Sequence, residues 1–322
     1  MHTPTLLVAL SSAALVACET GPDTQTIPYE AISLLGDTLT VPMLPDSLRA
    51  ARERLLTEAQ AAYARDSSAD ALIWVGRRAA YLGRYRDAMD VFSSGIARFP
   101  EDARFYRHRG HRHLTLRRLD LAVQDLERAA QLIAGKPDEV EPDGLPNARN
   151  TPTSTLQANI WYHLGLAYYL QGDFENALRA YQACLEVSNN PDMLVATSNW
   201  LYLTLRRLNR TAEAARVLVP IGRDLDIIEN GSYQRLLLMY KGELPQDSVL
   251  RLSPTGEPSL EDVTTAYGVG AWHLINGRQA EAERIFRAVA GARSQWAAFG
   301  YLAAEAELAR AAVSSAPKAD VP

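Results

Sequence analysis

The sequence predicts an all-α solenoid of about six stacked helix–turn–helix units with capping helices. Three observations predict it. The first is self-similarity. Between Ala71 and Pro100, the residues Gly76, Gly83, Tyr85, Ala88, Phe92 and Pro100 fall at spacings of 7, 2, 3, 4 and 8. Between Asn159 and Asn190, the residues Trp161, Leu164, Gly165, Tyr168, Gly172, Phe174, Ala177 and Tyr181 fall on the same grid. The second is period. Units start near Ala69, Ala103, Ala158, Val195 and Val263, which are 34, 55, 37 and 68 residues apart. A repeat period of roughly 20–50 residues marks arrays in which each unit buries its apolar face only by stacking on the next. The third is the alternation of small and aromatic residues. Gly76, Gly165, Ala88 and Ala177 let paired helices approach closely, while Phe92, Trp161, Tyr168 and Tyr181 fill the space between units.

Composition sets the outer limits. The chain has 322 residues, 47% hydrophobic and 22% charged, as in ordinary globular proteins. A net charge of −5 gives no bulk attraction for nucleic acid. Only Lys136, Lys241 and Lys318 are lysines among the 33 basic residues, so positive charge is almost all arginine.

The elements follow in order. Leu6–Ala17 is a short apolar run ending in small residues, the pattern of a signal peptide over residues 1–17 rather than of a spanning helix. Residues 18–45 read as a Thr/Pro-rich tether with one short extended piece at Ala31–Val41. Residues 46–68 form an N-terminal capping helix. Residues 69–228 hold units 1 to 4, with Gly83 and Gly172 ending the first helix of their units in a left-handed cap. The fourth unit is weak, because Tyr202 replaces the small glycine and Pro220 interrupts its second helix. Residues 229–262 form a degenerate unit with a helix near Ser232–Lys241, capped at Asn230-Gly231-Ser232, and a second helix broken by Pro245, Pro254 and Pro258. Residues 263–310 hold the last unit and a closing helix, and 311–322 a disordered tail.

One spacing is anomalous. The 55-residue step contains about 21 inserted residues, placing a long loop at 134–154 between units 2 and 3. Loops between packed helices are usually ~2–8 residues, and longer ones are often functional. This one holds Asp138, Glu139, Glu141, Asp143, Asn147, Arg149 and Asn150. Ser154 and Gln157 read as an S-x-x-Q capping box that starts the next helix.

The grid resembles the tetratricopeptide repeat (TPR), a helix–turn–helix of about 34 residues with the pattern W-x2-L-G-x2-Y…A-x3-F…P. The match is closest in Asn159–Asn190. The resemblance implies a right-handed superhelix of about six units whose concave groove is lined by the first helix of each. It places Trp74 and Arg77 of unit 1 in that groove. Unit 2 supplies Arg104, Arg107, His108 and His111 from the stretch YRHRGHRHL. Asn159, Tyr162, His163 and Tyr169 come from unit 3, and Asn199, Trp200, Arg206 and Arg207 from unit 4. Gly110 is the close-packed glycine of unit 2, and His113 takes the packing position of Tyr168. Trp74 and Trp200 either stack on a ligand or pack on the next unit.

The groove is therefore expected to be basic and aromatic, suited to an anionic peptide or protein partner. It is similar to the carboxylate clamp of TPR grooves, with Arg and His in place of the clamp's lysines. The expected ligand-binding residues are Arg77, Arg104, Arg107, His108, His111, Tyr162, His163 and Arg206, with Glu139, Asp143, Asn147, Arg149 and Asn150 closing one edge. The alternatives are a metal-binding or hydrolytic site made by His108, His111 and His163 with a carboxylate of the Asp138–Asp143 loop, and a solvated basic helix face paired within the chain with the acidic loop. No phosphate loop, nucleophile elbow, HExxH or CxxC is present. The expectation is a scaffold without catalytic residues or cofactor. Cys184, in the place of the small alanine of a second helix, reads as a packing residue.

The run Leu15-Val16-Ala17-Cys18 looks like a bacterial lipoprotein lipobox, which implies acylation of Cys18. The preceding segment lacks Lys and Arg, a departure from that pattern. Glu19 after the cysteine resembles an outer-membrane address. The expected location is the cell envelope, as an outer-membrane lipoprotein facing the periplasm and attached to the membrane by its lipid.

Overall fold

The computed structural model describes residues 29–250 and 257–315. The signal peptide, Cys18, the start of the expected tether, Pro254 and most of the expected tail lie outside the described residues. Helix α1 (Asp46–Arg65) leads the solenoid, burying Leu56. The pairs α2 (Ala69–Tyr81) with α3 (Tyr85–Arg98) and α4 (Ala103–Thr115) with α5 (Leu119–Ile133) follow. After the long loop come α6 (Leu156–Gln171) with α7 (Phe174–Val187), then α8 (Pro191–Arg207) with the short α9 (Thr211–Val217). Among the described residues, helix α10 (Gly231–Tyr240) stands without a second helix; a 3₁₀ turn at Gln246–Ser248 follows it. The pair α11 (Leu260–Ile275) with α12 (Gln279–Ala290) and the closing helix α13 (Phe299–Ser315) complete the order. From α1 to α9 and from α10 to α13 each helix packs on its sequence neighbour, and α10 packs on both α8 and α11. No helix among the described residues is long and apolar enough to cross a membrane.

The repeat grid works through close approach. A Cβ on Gly165 would lie 2.7 Å from the Tyr181 ring, so only glycine lets α6 and α7 close around that side chain. The turn between paired helices needs a left-handed residue, and Gly83 and Gly172 supply it at φ 78° and 84°. The second unit places Arg117 there, at φ 60°.

Three local features differ from the sequence reading. First, the stretch expected to be a tether contains an antiparallel hairpin, β1 (Tyr29–Ile32) and β2 (Thr38–Thr40). Ala31 and Leu39 are buried, Glu30 accepts the Arg86 backbone N–H, and Thr40 carbonyl accepts the Trp296 indole. Its partners lie up to 271 residues away, beyond the reach of local pattern. Second, α6 is capped by Thr155, whose hydroxyl accepts from Ala158 N–H, rather than by a Ser154–Gln157 box. The Gln157 amide instead donates to Lys136 carbonyl across the loop's base. Third, Asn230 makes no side-chain cap for α10; its amide donates to Asp192 carbonyl.

Helix α13 has the largest consequence for the site. It leaves the end of the array and packs against α6 as well as α11 and α12. Its side chains reach back across the inner surface: Glu305 pairs with Arg117, Glu307 with Arg207, and Arg310 donates to Leu170 carbonyl.

Candidate functional site

Helix α4 supplies the basic wall. Successive residues turn by about 100°, so Arg104, Arg107, His108 and His111 share the inward-facing side. Arg77 approaches from α2, while Tyr162 and His163 come from α6. The inserted loop then folds over this wall. Its ends are zipped by Glu141 N–H to Ser154 carbonyl at 3.1 Å and Leu156 N–H to Glu139 carbonyl at 2.8 Å, around an antiparallel bridge of Val140 with Thr155.

Zipping aims residues 141–144 at the arginines. Glu141 pairs with Arg107 at 3.0 Å, the arginine buried and the carboxylate 12% exposed. Arg77 donates to Pro142 carbonyl at 2.7 Å and Arg78 to Gly144 carbonyl at 2.9 Å. Gly144 lies so close to Tyr81 that a Cβ there would sit 1.8 Å from the phenol oxygen. Beneath the loop a cleft of about 270 Å³ remains, walled by Arg77, Arg107, His108, His111, Arg112, Glu141 and Asp143.

Several expected ligand residues are therefore covered. The sequence reading places Arg77, Arg107, His108 and His163 on an open groove; all four are buried. The physical reason is internal neutralisation. Glu141 supplies Arg107 with a carboxylate, Pro142 supplies Arg77 with a carbonyl, Phe92 stacks on His108, and Phe299 of α13 covers His163. His111 and His163 lie 4.2 Å apart between ring centroids, with Phe299 5.4 Å from the first and 5.5 Å from the second. A second cavity of about 300 Å³ lies beyond His111, walled by Tyr233, Leu260, Thr264 and Phe299.

Burial pushes His108, His111 and His163 well below the ordinary histidine range, and neighbouring arginines push in the same direction. They are neutral at pH 7. Two of them also have one nitrogen engaged: Arg107 donates to His108 Nδ1 at 3.0 Å, and His163 Nδ1–H donates to Asn159 carbonyl at 2.5 Å. The loop carboxylate needed for a three-histidine metal shell goes to Arg107 instead. Among the described residues no group of three or more His, Cys, Asp or Glu side chains is placed to hold a metal ion.

The other expected residues divide. Tyr162 is central: its oxygen accepts from Trp200 Nε1 at 2.7 Å and lies 3.1 Å from the Tyr233 hydroxyl. Trp200 is thus a packing residue, 1% exposed. Trp74 stays part-exposed beneath the Arg77 and Arg78 guanidiniums. Arg104 sits on the rim with Asp102 and Asp70. Arg206 turns away, donating to the Tyr202 hydroxyl and Ile275 carbonyl. On the outer side of the loop, Asn147 donates to Glu229, and Arg149 grips Asp226 with two bonds of 2.8 Å. Asn150 is a left-handed turn residue at φ 49°. Glu139 is exposed at the loop base. Asp143 lies at the cleft, where burial raises its carboxyl, with Glu229 and Glu141 adding to the effect. Cys184 is 1% exposed against Ala158 carbonyl and Thr197, and burial pushes its thiol up to about 11.

Sequence reasoning missed Arg112, Asp192, Tyr233 and Phe299. Asp192 gathers the N–H groups of Ile228, Glu229 and Asn230 at 2.8–2.9 Å, which fixes the segment that holds the loop's outer edge. Arg112 was legible as one more arginine of α4. Phe299 carried no signal, because it reaches the site only through the return of α13.

What the arrangement can do chemically is hold negative charge. Three guanidiniums face one cleft with low access to water, and one carboxylate is already seated among them.

Tetratricopeptide-repeat family models match residues 75–139 and 158–191. A search of the curated proteins finds no match. Among solved structures, the chain resembles MamA at 15% identity and a TM-score of 0.41, covering 63% of this chain and 100% of that one. It resembles YrrB, described as a TPR protein with an unusual peptide-binding site, at 12% identity and a TM-score of 0.41, covering 78% and 97%. A TPR protein from Parabacteroides merdae matches at 13% identity and a TM-score of 0.45, covering 79% and 94%. The chain carries tetratricopeptide repeats, and its helices stack as a right-handed TPR superhelix.

Proposed function

We propose that this chain is a partner-binding TPR scaffold of the bacterial cell envelope. It is held to the outer membrane by lipid on Cys18, faces the periplasm, and takes an acidic, extended segment of a protein or peptide in its concave groove. The observation that carries the groove reading is the Arg107–Glu141 pair. An extended acidic stretch of the chain itself already lies across the inner helices, its carboxylate on Arg107 and its next carbonyl on Arg77. A partner segment of the same chemistry would take that place as the loop lifts. The loop ends remain pinned at residues 139–141 and 154–156, and the outer edge is held by exposed polar contacts that exchange readily with water. The role uses no reaction and no cofactor, and the net charge of −5 is unsuited to nucleic acid.

The test uses a synthetic peptide with the sequence of residues 138–149. The Glu141→Ala chain, whose Arg107 has lost its internal carboxylate, should bind this peptide at least tenfold more tightly than wild type does. Equal, weak binding by both chains would sink the groove reading. Anchoring is tested separately: Cys18→Ser should move the chain from the membrane to the soluble fraction, and an unchanged distribution would overturn the lipid anchor.

A further inference from the structure

The Arg107–Glu141 pair leaves positive charge in the cleft unanswered. Arg77 is engaged only by neutral acceptors, Pro142 carbonyl and the Tyr81 hydroxyl. Among the described residues the Arg112 guanidinium has no hydrogen-bond or ion-pair partner; it lies 5.2 Å from the centre of the Tyr85 ring. Arg107 Nε is buried and unpartnered, and so is Asp143 Oδ2. Arg112 is half-buried, and its five fixed N–H donors are free to meet an anion in the cleft. Burial already pushes the Arg112 guanidinium down to about 10.

We infer that the cleft beneath the loop is a binding site for a small oxyanion of the phosphate class, gripped by Arg112 with help from Arg77 and Arg107. Charge and shape decide the class. Three guanidiniums against the Glu141 and Asp143 carboxylates leave positive charge facing the cleft, which an oxyanion answers. Planar forks from several sides also suit a tetrahedral oxyanion. A cleft of about 270 Å³ holds such an ion with bound water, since liquid water occupies about 30 Å³ per molecule. The site is formed by the closed loop, so it stands whether or not the groove takes a partner. Failure with phosphate and failure with the acidic peptide are separate results.

The experiment is calorimetric titration of the purified full chain with inorganic phosphate, sulfate, glycerol 3-phosphate and acetate at matched ionic strength. One phosphate per chain is expected, with acetate at least tenfold weaker. Arg112→Gln should weaken phosphate at least tenfold, and Arg104→Gln, on the rim outside the cleft, should leave it unchanged. Should Arg112→Gln fail to fold, Arg112→Lys keeps the charge without the fork and should still lose several-fold. Glycerol 3-phosphate binding more tightly than phosphate would assign the source to a phosphomonoester, and the reverse to free phosphate. Absence of heat and of a thermal shift at 10 mM phosphate (about ten times a weak Kd of ~1 mM) would overturn the site. So would affinity indifferent to both Arg112 variants.

Discussion

Arg117 and Glu305, 188 positions apart, form a two-bond ion pair, Nε to Oε2 and Nη2 to Oε1 at 3.0 Å each, with side chains 3% and 1% exposed. The same Glu305 accepts the Leu34 N–H, and the same guanidinium donates to Trp296 carbonyl. One node thus ties the hairpin, the α4–α5 turn and α13, and so fixes the helix that covers the histidines.

Arg117→Gly measures what the node is worth. Glycine would relieve a left-handed arginine at φ 60°, a gain of about 1–2 kcal/mol. It would also leave Glu305 buried and unpaired, a loss of about 3–5 kcal/mol. The loss wins, so urea unfolding should show a net destabilisation of roughly 2–3 kcal/mol. A variant as stable as wild type would mean that α13 is not held by this pair.

Gly144→Ala tests how the loop is seated. The added Cβ meets the Tyr81 phenol, so the loop or the tyrosine must move. Amide exchange should speed up across residues 138–150 while α6 and α7 stay protected. Unchanged protection in the loop would show that Tyr81 gives way instead.

Gly165→Ala probes the core at the same scale of chemistry. Here the obstruction is the Tyr181 ring, fully buried among packed helices. Overpacking of this kind costs about 1–3 kcal/mol. The expected result is a lower urea midpoint with loop exchange unaltered, the converse of Gly144→Ala. Loosening of the loop by Gly165→Ala would mean that the two regions do not act separately.

The contrast between these two glycines also says what was legible in the sequence. Gly165 and Tyr181 recur at fixed spacing because each unit solves the same local packing problem, so the grid announces them. Gly144 and Tyr81 meet once, through a loop whose path depends on contacts with α2, α4 and the α9–α10 connection. The arginines and histidines of α4 were legible as an inward face for the same periodic reason. Their burial was not, because the cover comes from Glu141, Pro142 and Phe299. The hairpin was missed likewise: its anchors, Glu305 and Trp296, lie at the other end of the chain.

The histidines make stability depend on pH with a definite sign. His108, His111 and His163 are held well below the unfolded value of about 6.5, and His113 is pushed down to about 4 by burial, with Asp125 opposing. The unfolded chain therefore binds more protons than the folded one as pH falls below 6.5. Stability is full above that value and declines below it, by about 1.4 kcal/mol per pH unit for each histidine that stays neutral. Glu30 and Asp143, raised by burial, act with the opposite sign, but they are two groups against four. Between pH 6.5 and 5 the four histidines prevail. The urea midpoint should fall steeply between pH 7.5 and 5. His163→Gln should flatten that slope by about one histidine's share. Its amide keeps a donor for Asn159 carbonyl and cannot take up a proton. A midpoint independent of pH would mean that these rings meet water, and with it the closed arrangement of loop and α13 would fall.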